Sequence, residues 1–137
     1  MVLTPIVYWL ASPLFINVKV NERLEGIVGQ QFVIVATGTF VNGDDFHKTS
    51  GVATILRSSN GTRIASFTDF KTINGPDLFV YLTTDASAKD VVDLGRLKGN
   101  VGDQHYQLPS DVDLTHYKYV LIWCRSFSVL FGSAQLS

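Results

Sequence analysis

Beyond Asn21 no stretch of the chain keeps a helical apolar period; short apolar runs alternate instead with clusters of Gly, Asn, Asp, Ser and Pro. This punctuation constrains the fold more than any other feature, because such runs bury alternate side chains and need neighbouring strands to pair their backbone. Gln31 to Val41, Gly51 to Arg57, Arg63 to Phe70, Leu78 to Thr84, Val91 to Leu97, His105 to Leu108, Tyr117 to Cys124 and Phe127 to Ala134 read as strands. Their number and spacing predict an all-β fold, an antiparallel β-sandwich or barrel-like domain of about eight strands with at most a short helical turn. That segment is SDVDLTHY, expected as a turn or a single helical loop with Ser110 as its cap. In Leu78 to Thr84 both alternating faces are largely apolar, which predicts a central strand covered on both sides. Asn60-Gly61, between GVATILR and TRIASF, predicts a two-residue hairpin turn, a reading that outweighs the glycosylation sequon Asn60-Gly61-Thr62.

With 137 residues the chain makes one domain with a real core, and 11 Lys+Arg against 12 Asp+Glu leave no basic excess for nucleic acid. Charged residues are 17% and hydrophobic ones 46%, which excludes disorder. Part of the apolar excess lies at the amino terminus, where Met1 to Val18 carries no charge. Pro5 and Pro13 interrupt that stretch, and no Lys or Arg precedes it as a secretory signal would require. Residues 1–20 are therefore expected to be a juxtamembrane or anchor-end segment giving membrane association, with a first strand or extended arm as the equal alternative. Residues 21–137 form the single β domain. Cys124 is the one cysteine, so neither an intramolecular disulfide nor a structural zinc cluster can form.

Several stretches are more specific than composition. GPDLFVYL (Gly75 to Leu82), LGRLKGNVGDQHYQLP (Leu94 to Pro109), DVDL (Asp111 to Leu114) and YVLIWCRSFSVLFGSAQL (Tyr119 to Leu136) stand in an order that resembles the DM-thirteen domain, the electron-transfer DM family. GTF at Gly38 and SGVATI at Ser50 resemble its opening strands, so the similarity runs from about residue 37 to 136. The resemblance implies a mostly β domain related to cytochrome-like DOMON modules, extracytoplasmic or at the cell surface, with a redox role resting on one cysteine. That cysteine matches Cys124, within Trp123-Cys124-Arg125.

Cys124 is thus the candidate redox residue, with Trp123, Arg125 and Tyr106 as supporting side chains. Alternation in a strand places Trp123 and Arg125 on the face opposite Cys124, whose own companions are Val120, Ile122 and Ser126. A lone thiol limits the chemistry to a sulfenic acid, a mixed disulfide with another molecule, or ligation of haem or a metal. The absence of C-x-x-C-H excludes a covalent c-type haem. His47, His105 and His116 are weak candidate metal ligands, since none stands at ligand spacing and a surface histidine is the plainer reading of each. Asp44 and Asp45 beside His47, and Asp111 and Asp113 near His116, likewise read as solvated turns before they read as a cation site. LKGNVGDQ reads as a strand-joining turn, since no helix follows it to receive a phosphate.

No hydrolase or nucleotide motif occurs. The expected function is an electron-transfer module with a redox partner protein, rather than a stand-alone enzyme. The alternative from another class is a non-catalytic binding or adhesion module in which Cys124 is structural.

Overall fold

The computed structural model describes residues 31–137, which form eight antiparallel strands and no helix. They are β1 (Phe32–Asn42), β2 (Thr49–Ser58), β3 (Arg63–Thr72), β4 (Leu78–Thr83), β5 (Val91–Arg96), β6 (Gln104–Gln107), β7 (Tyr119–Cys124) and β8 (Val129–Gln135). All eight join one sheet in the order β5-β4-β7-β8-β1-β2-β3-β6, curled into a nearly closed barrel with β5 and β6 at the seam. Every expected strand is present, and the choice between sandwich and barrel falls to the barrel. The expected segment 1–20 lies outside the described residues. Among the described residues no helix is long and apolar enough to cross a membrane.

Three local expectations change. Ser110 to Tyr117 takes the turn form of the two expected, but Ser110 is not its cap: the anchor is Asp113, whose Oδ1 accepts the Thr115 N–H at 2.9 Å and the Thr115 hydroxyl at 2.6 Å. Ser110 instead offers its carbonyl to Arg63. The β2–β3 connection is a three-residue loop, Ser59 to Gly61, closed by the Ser58 N–H on the Thr62 carbonyl at 2.8 Å. Gly61 alone takes the positive φ, 91°, which is how a three-residue hairpin loop with a terminal glycine differs from the Asn-Gly pair expected. The last two strands start later than their apolar runs: β7 begins only after the turn in which the Asp113 carbonyl accepts the His116 and Tyr117 N–H groups, and β8 only after Arg125 to Ser128, a four-residue turn with Ser128 at φ 53°. Alternation therefore carries no further than Arg125, and Ser126 is exposed in the turn rather than a companion of the thiol.

The core follows the strand alternation. Val120, Ile122 and Cys124 of β7 face inward with Leu78, Val80 and Leu82 of β4, while Leu121 and Trp123 face outward with Phe79 and Tyr81. Every residue of β4 is buried, as both its apolar faces required. At the centre of the larger core Phe67 meets Phe40, Phe70 and Tyr106 at ring-centroid distances of 5.1, 5.0 and 5.2 Å.

The barrel also closes where β8 passes the start of β2. A Cβ on Gly132 would lie 2.4 Å from the Cβ of buried Thr49, whose hydroxyl donates to the Phe131 carbonyl at 2.7 Å. Neither side can yield without breaking that bond. Gly132→Ala is expected to cost about 1–3 kcal/mol, the usual range for overpacking, read as a lower urea midpoint at unchanged slope.

Candidate functional site

Cys124 is the last residue of β7, in register with Leu78 on β4 and Val129 on β8. Ladders on both sides hold the strand, so the side chain is fixed inward and is only 1% exposed. Its surroundings in the core are apolar. The next residue is already at the surface, because all four residues of the Arg125–Ser128 turn are exposed. The thiol is therefore buried but lies at the rim of the barrel.

Arg125 leaves the strand on the outer face, as alternation requires. Its guanidinium carbon sits 3.5 Å from the centre of the Phe79 ring, its Nε donates to the Tyr81 hydroxyl at 3.0 Å, and Nη2 pairs with Asp93 Oδ2 at 2.5 Å. The Tyr81 bond, with that to Asp93, raises the pKa of a group that is already always charged. Arg96 covers the same Phe79 ring at 4.6 Å. Trp123, half-buried, is in register with Phe79 and packs in this outer cluster. Neither supporting residue faces the thiol. They form a cation–aromatic patch on the far side of the β7 backbone.

One carboxylate ties the rim together. The Asp77 carbonyl accepts the Arg125 N–H at 3.0 Å, which extends the β4–β7 ladder one residue past Cys124. Asp77 Oδ2 accepts the Ser126 hydroxyl at 2.5 Å, and Oδ1 accepts Arg96 Nη1 at 3.0 Å. The Ser126 bond first, and then Arg96, hold the Asp77 carboxyl below its ordinary range against the opposing effect of desolvation. Asp77, Arg96 and Ser126 come from GPDLFVYL, LGRLKGN and WCRSF, so three separated stretches singled out in the sequence meet here. No single-residue signal marked Asp77. The usable hint was an acidic residue just before one strand and basic residues at the ends of two others.

Tyr106 lines the larger core from β6. Its hydroxyl accepts the Lys98 N–H at 2.8 Å and donates to Gln104 Oε1 at 2.5 Å. Gln104, buried, donates in turn to the carbonyls of Gly99 and Gly102. The KGNVGD loop is thus fastened from inside by the Gln104 and Tyr106 side chains and to β3 through the Asn100 carbonyl and the Gly102 N–H, in agreement with the turn reading.

The histidines lie apart from one another. His47 Nδ1 meets both carboxylate oxygens of Asp44 at 2.7 and 2.8 Å, with its ring 4.5 Å from that of Phe131. His116 Nε2 is 3.8 Å from Asp90, and His105 is on β6 beside a cleft of about 260 Å³ lined also by Phe32, Asn60 and Gln107. Among the described residues no three His, Cys, Asp or Glu side chains gather to hold a metal ion. Cys124, 1% exposed among apolar side chains, has no open face among the described residues on which a haem could seat. The described residues fit neither group.

A family model described as Electron transfer DM13 matches residues 39–136. No curated protein and no solved structure matches the chain.

Proposed function

Since this chain belongs to the electron-transfer DM13 family, we propose that it is an extracytoplasmic redox module in which Cys124 carries two electrons from an external thiol to a hydroperoxide. The position of Cys124 supports this reading: it is the one thiol of the chain, it ends its strand, and the residue that follows it is already exposed. The uncharged stretch Met1 to Val18 supports an extracytoplasmic, membrane-associated setting.

The chemistry follows from having one cysteine. The thiolate attacks the peroxide, the O–O bond breaks, one oxygen stays on sulfur as Cys–SOH, and the other leaves with a proton as ROH. No second cysteine can resolve the sulfenic acid, so an external thiol condenses with it and releases water. A second external thiol then attacks the mixed disulfide and frees Cys124 as its thiol. Two thiols become one disulfide, and two electrons reach the peroxide. A small oxidant suits a thiol this buried better than a protein disulfide, which must approach the sulfur in line. By the same argument the reducing thiol is a small molecule, and a redox partner protein enters afterwards, re-reducing the disulfide that this thiol forms.

The test is to treat the folded chain with hydrogen peroxide in the presence of dimedone, which traps sulfenic acids, and to map the adduct by mass. An adduct on Cys124 is expected. Absence of one on the folded chain, with trapping on the unfolded chain, would contradict the proposal.

A second reading rests on the same burial: an inert thiol among Val120, Ile122 and Leu78 is what a binding or adhesion module with a structural cysteine would hold. In that case no adduct forms before unfolding.

A further inference from the structure

The arrangement of Asp77 has a consequence for when Cys124 reacts. The Arg125–Ser128 turn is wholly exposed, and its one large apolar side chain, Phe127, is 67% exposed, so burial does little to hold it in place. Ser128 adds a left-handed φ of 53° in a residue other than glycine, a conformation that disfavours closure. Polar bonds supply what burial does not. Asp77 makes two of them to the turn itself, through its carbonyl to the Arg125 N–H and through Oδ2 to the Ser126 hydroxyl, and its Oδ1 is held by Arg96 from β5. The carboxylate is 17% exposed, enclosed enough to be fixed but at the surface. Arg125 adds its own hold on the outer face through Tyr81, Asp93 and Phe79. Strand ends held by a few polar bonds open locally far more often than the whole fold unfolds.

We propose that Asp77 is a latch that fastens the Arg125–Ser128 turn and, through it, the end of β7, so that Cys124, the last residue of that strand, meets solvent and oxidant only when this end opens. As a control of redox chemistry the latch rests on the reading of Cys124 given above; as a control of access it rests on geometry alone. Opening requires release of the Ser126 hydroxyl and the Arg125 N–H from Asp77, followed by parting of the Cys124–Val129 pair at the end of the β7–β8 ladder. The remainder of β7, from Tyr119 to Trp123, stays paired with β4.

The experiment measures the rate at which methyl methanethiosulfonate labels Cys124 in the folded full chain, across low urea concentrations, for wild type, Asp77→Ala and Asp77→Asn. Asp77→Ala is expected to label at least tenfold faster than wild type. Asp77→Asn, which keeps the shape and an acceptor oxygen but loses the charge, is expected between them. In all three the rate should be flat in low urea, the mark of a local opening that exposes little surface. If Asp77→Ala labels no faster, the latch is wrong. It is equally wrong if the faster labelling rises with urea at the slope of global unfolding. Should Asp77→Ala fail to fold, Asp77→Asn and Ser126→Ala carry the same comparison, each expected to label several-fold faster than wild type. Faster labelling by methyl methanethiosulfonate with no sulfenic acid under peroxide would uphold the latch and remove the redox reading.

Discussion

Phe67→Ala is expected to lower the unfolding free energy by about 3–5 kcal/mol, the range for truncating a fully buried aromatic ring. Phe67 is 0% exposed and is the ring on which Phe40, Phe70 and Tyr106 all converge. Its removal takes away apolar burial and leaves a cavity bounded by three rings fixed to three different strands. β1, β3 and β6 cannot close the gap together without breaking register. Against a typical domain stability of about 5–15 kcal/mol the loss is large, and it corresponds to a fall in Tm on the order of 10–20 °C. Phe46→Ala provides the contrast. That side chain is 82% exposed, and its removal is expected to stay within about 0.5 kcal/mol. Thermal and urea unfolding followed by circular dichroism decide both. Equal effects at the two positions would mean that the core is not where the aromatic cluster puts it.

The contrast between Phe67 and Phe46 also shows what a sequence of this kind discloses. Both are phenylalanines next to polar residues. Phe67 stands in the alternating run RIASF, whereas Phe46 stands in the turn cluster NGDDFHK, so period and punctuation separate them. The same local signals locate all eight strands and the inward face of Val120, Ile122 and Cys124. They do not disclose the order β5-β4-β7-β8-β1-β2-β3-β6, because nothing local pairs β7 with β4 or β6 with β3. That order decides the site. Asp77 reaches Ser126 across 49 residues, and Arg125 reaches Tyr81 across 44, only because Leu78 and Cys124 are in register. Cys124, Trp123 and Arg125 were visible as a motif. Their division between two faces followed from alternation, while the carboxylate that fastens the rim belongs to long-range register and left no periodic trace.

Removing the thiol has the largest expected effect on function. Cys124→Ser should abolish any turnover that passes through sulfur, because a serine hydroxyl does not take up oxygen from a peroxide. A hydroxyl at this apolar position can cost about 1–3 kcal/mol if it finds no partner. Cys124→Ala removes that difficulty, leaving only a small cavity, and its fold should match wild type in circular dichroism. The two variants separate loss of chemistry from loss of structure. Loss in both, with the barrel intact in at least the alanine variant, assigns the activity to the sulfur atom. The binding-module reading makes the opposite statement: both substitutions shift stability and nothing else.

The most direct test is therefore the rate at which the folded full-length chain transfers electrons from a small-molecule thiol to hydrogen peroxide, with wild type, Cys124→Ser and Cys124→Ala measured side by side. Wild type is expected to consume peroxide above the uncatalysed background, in proportion to protein and with two thiols oxidised per peroxide, and both variants should fall to that background. A wild-type rate no greater than that of either folded variant would contradict the assignment of the redox centre to Cys124.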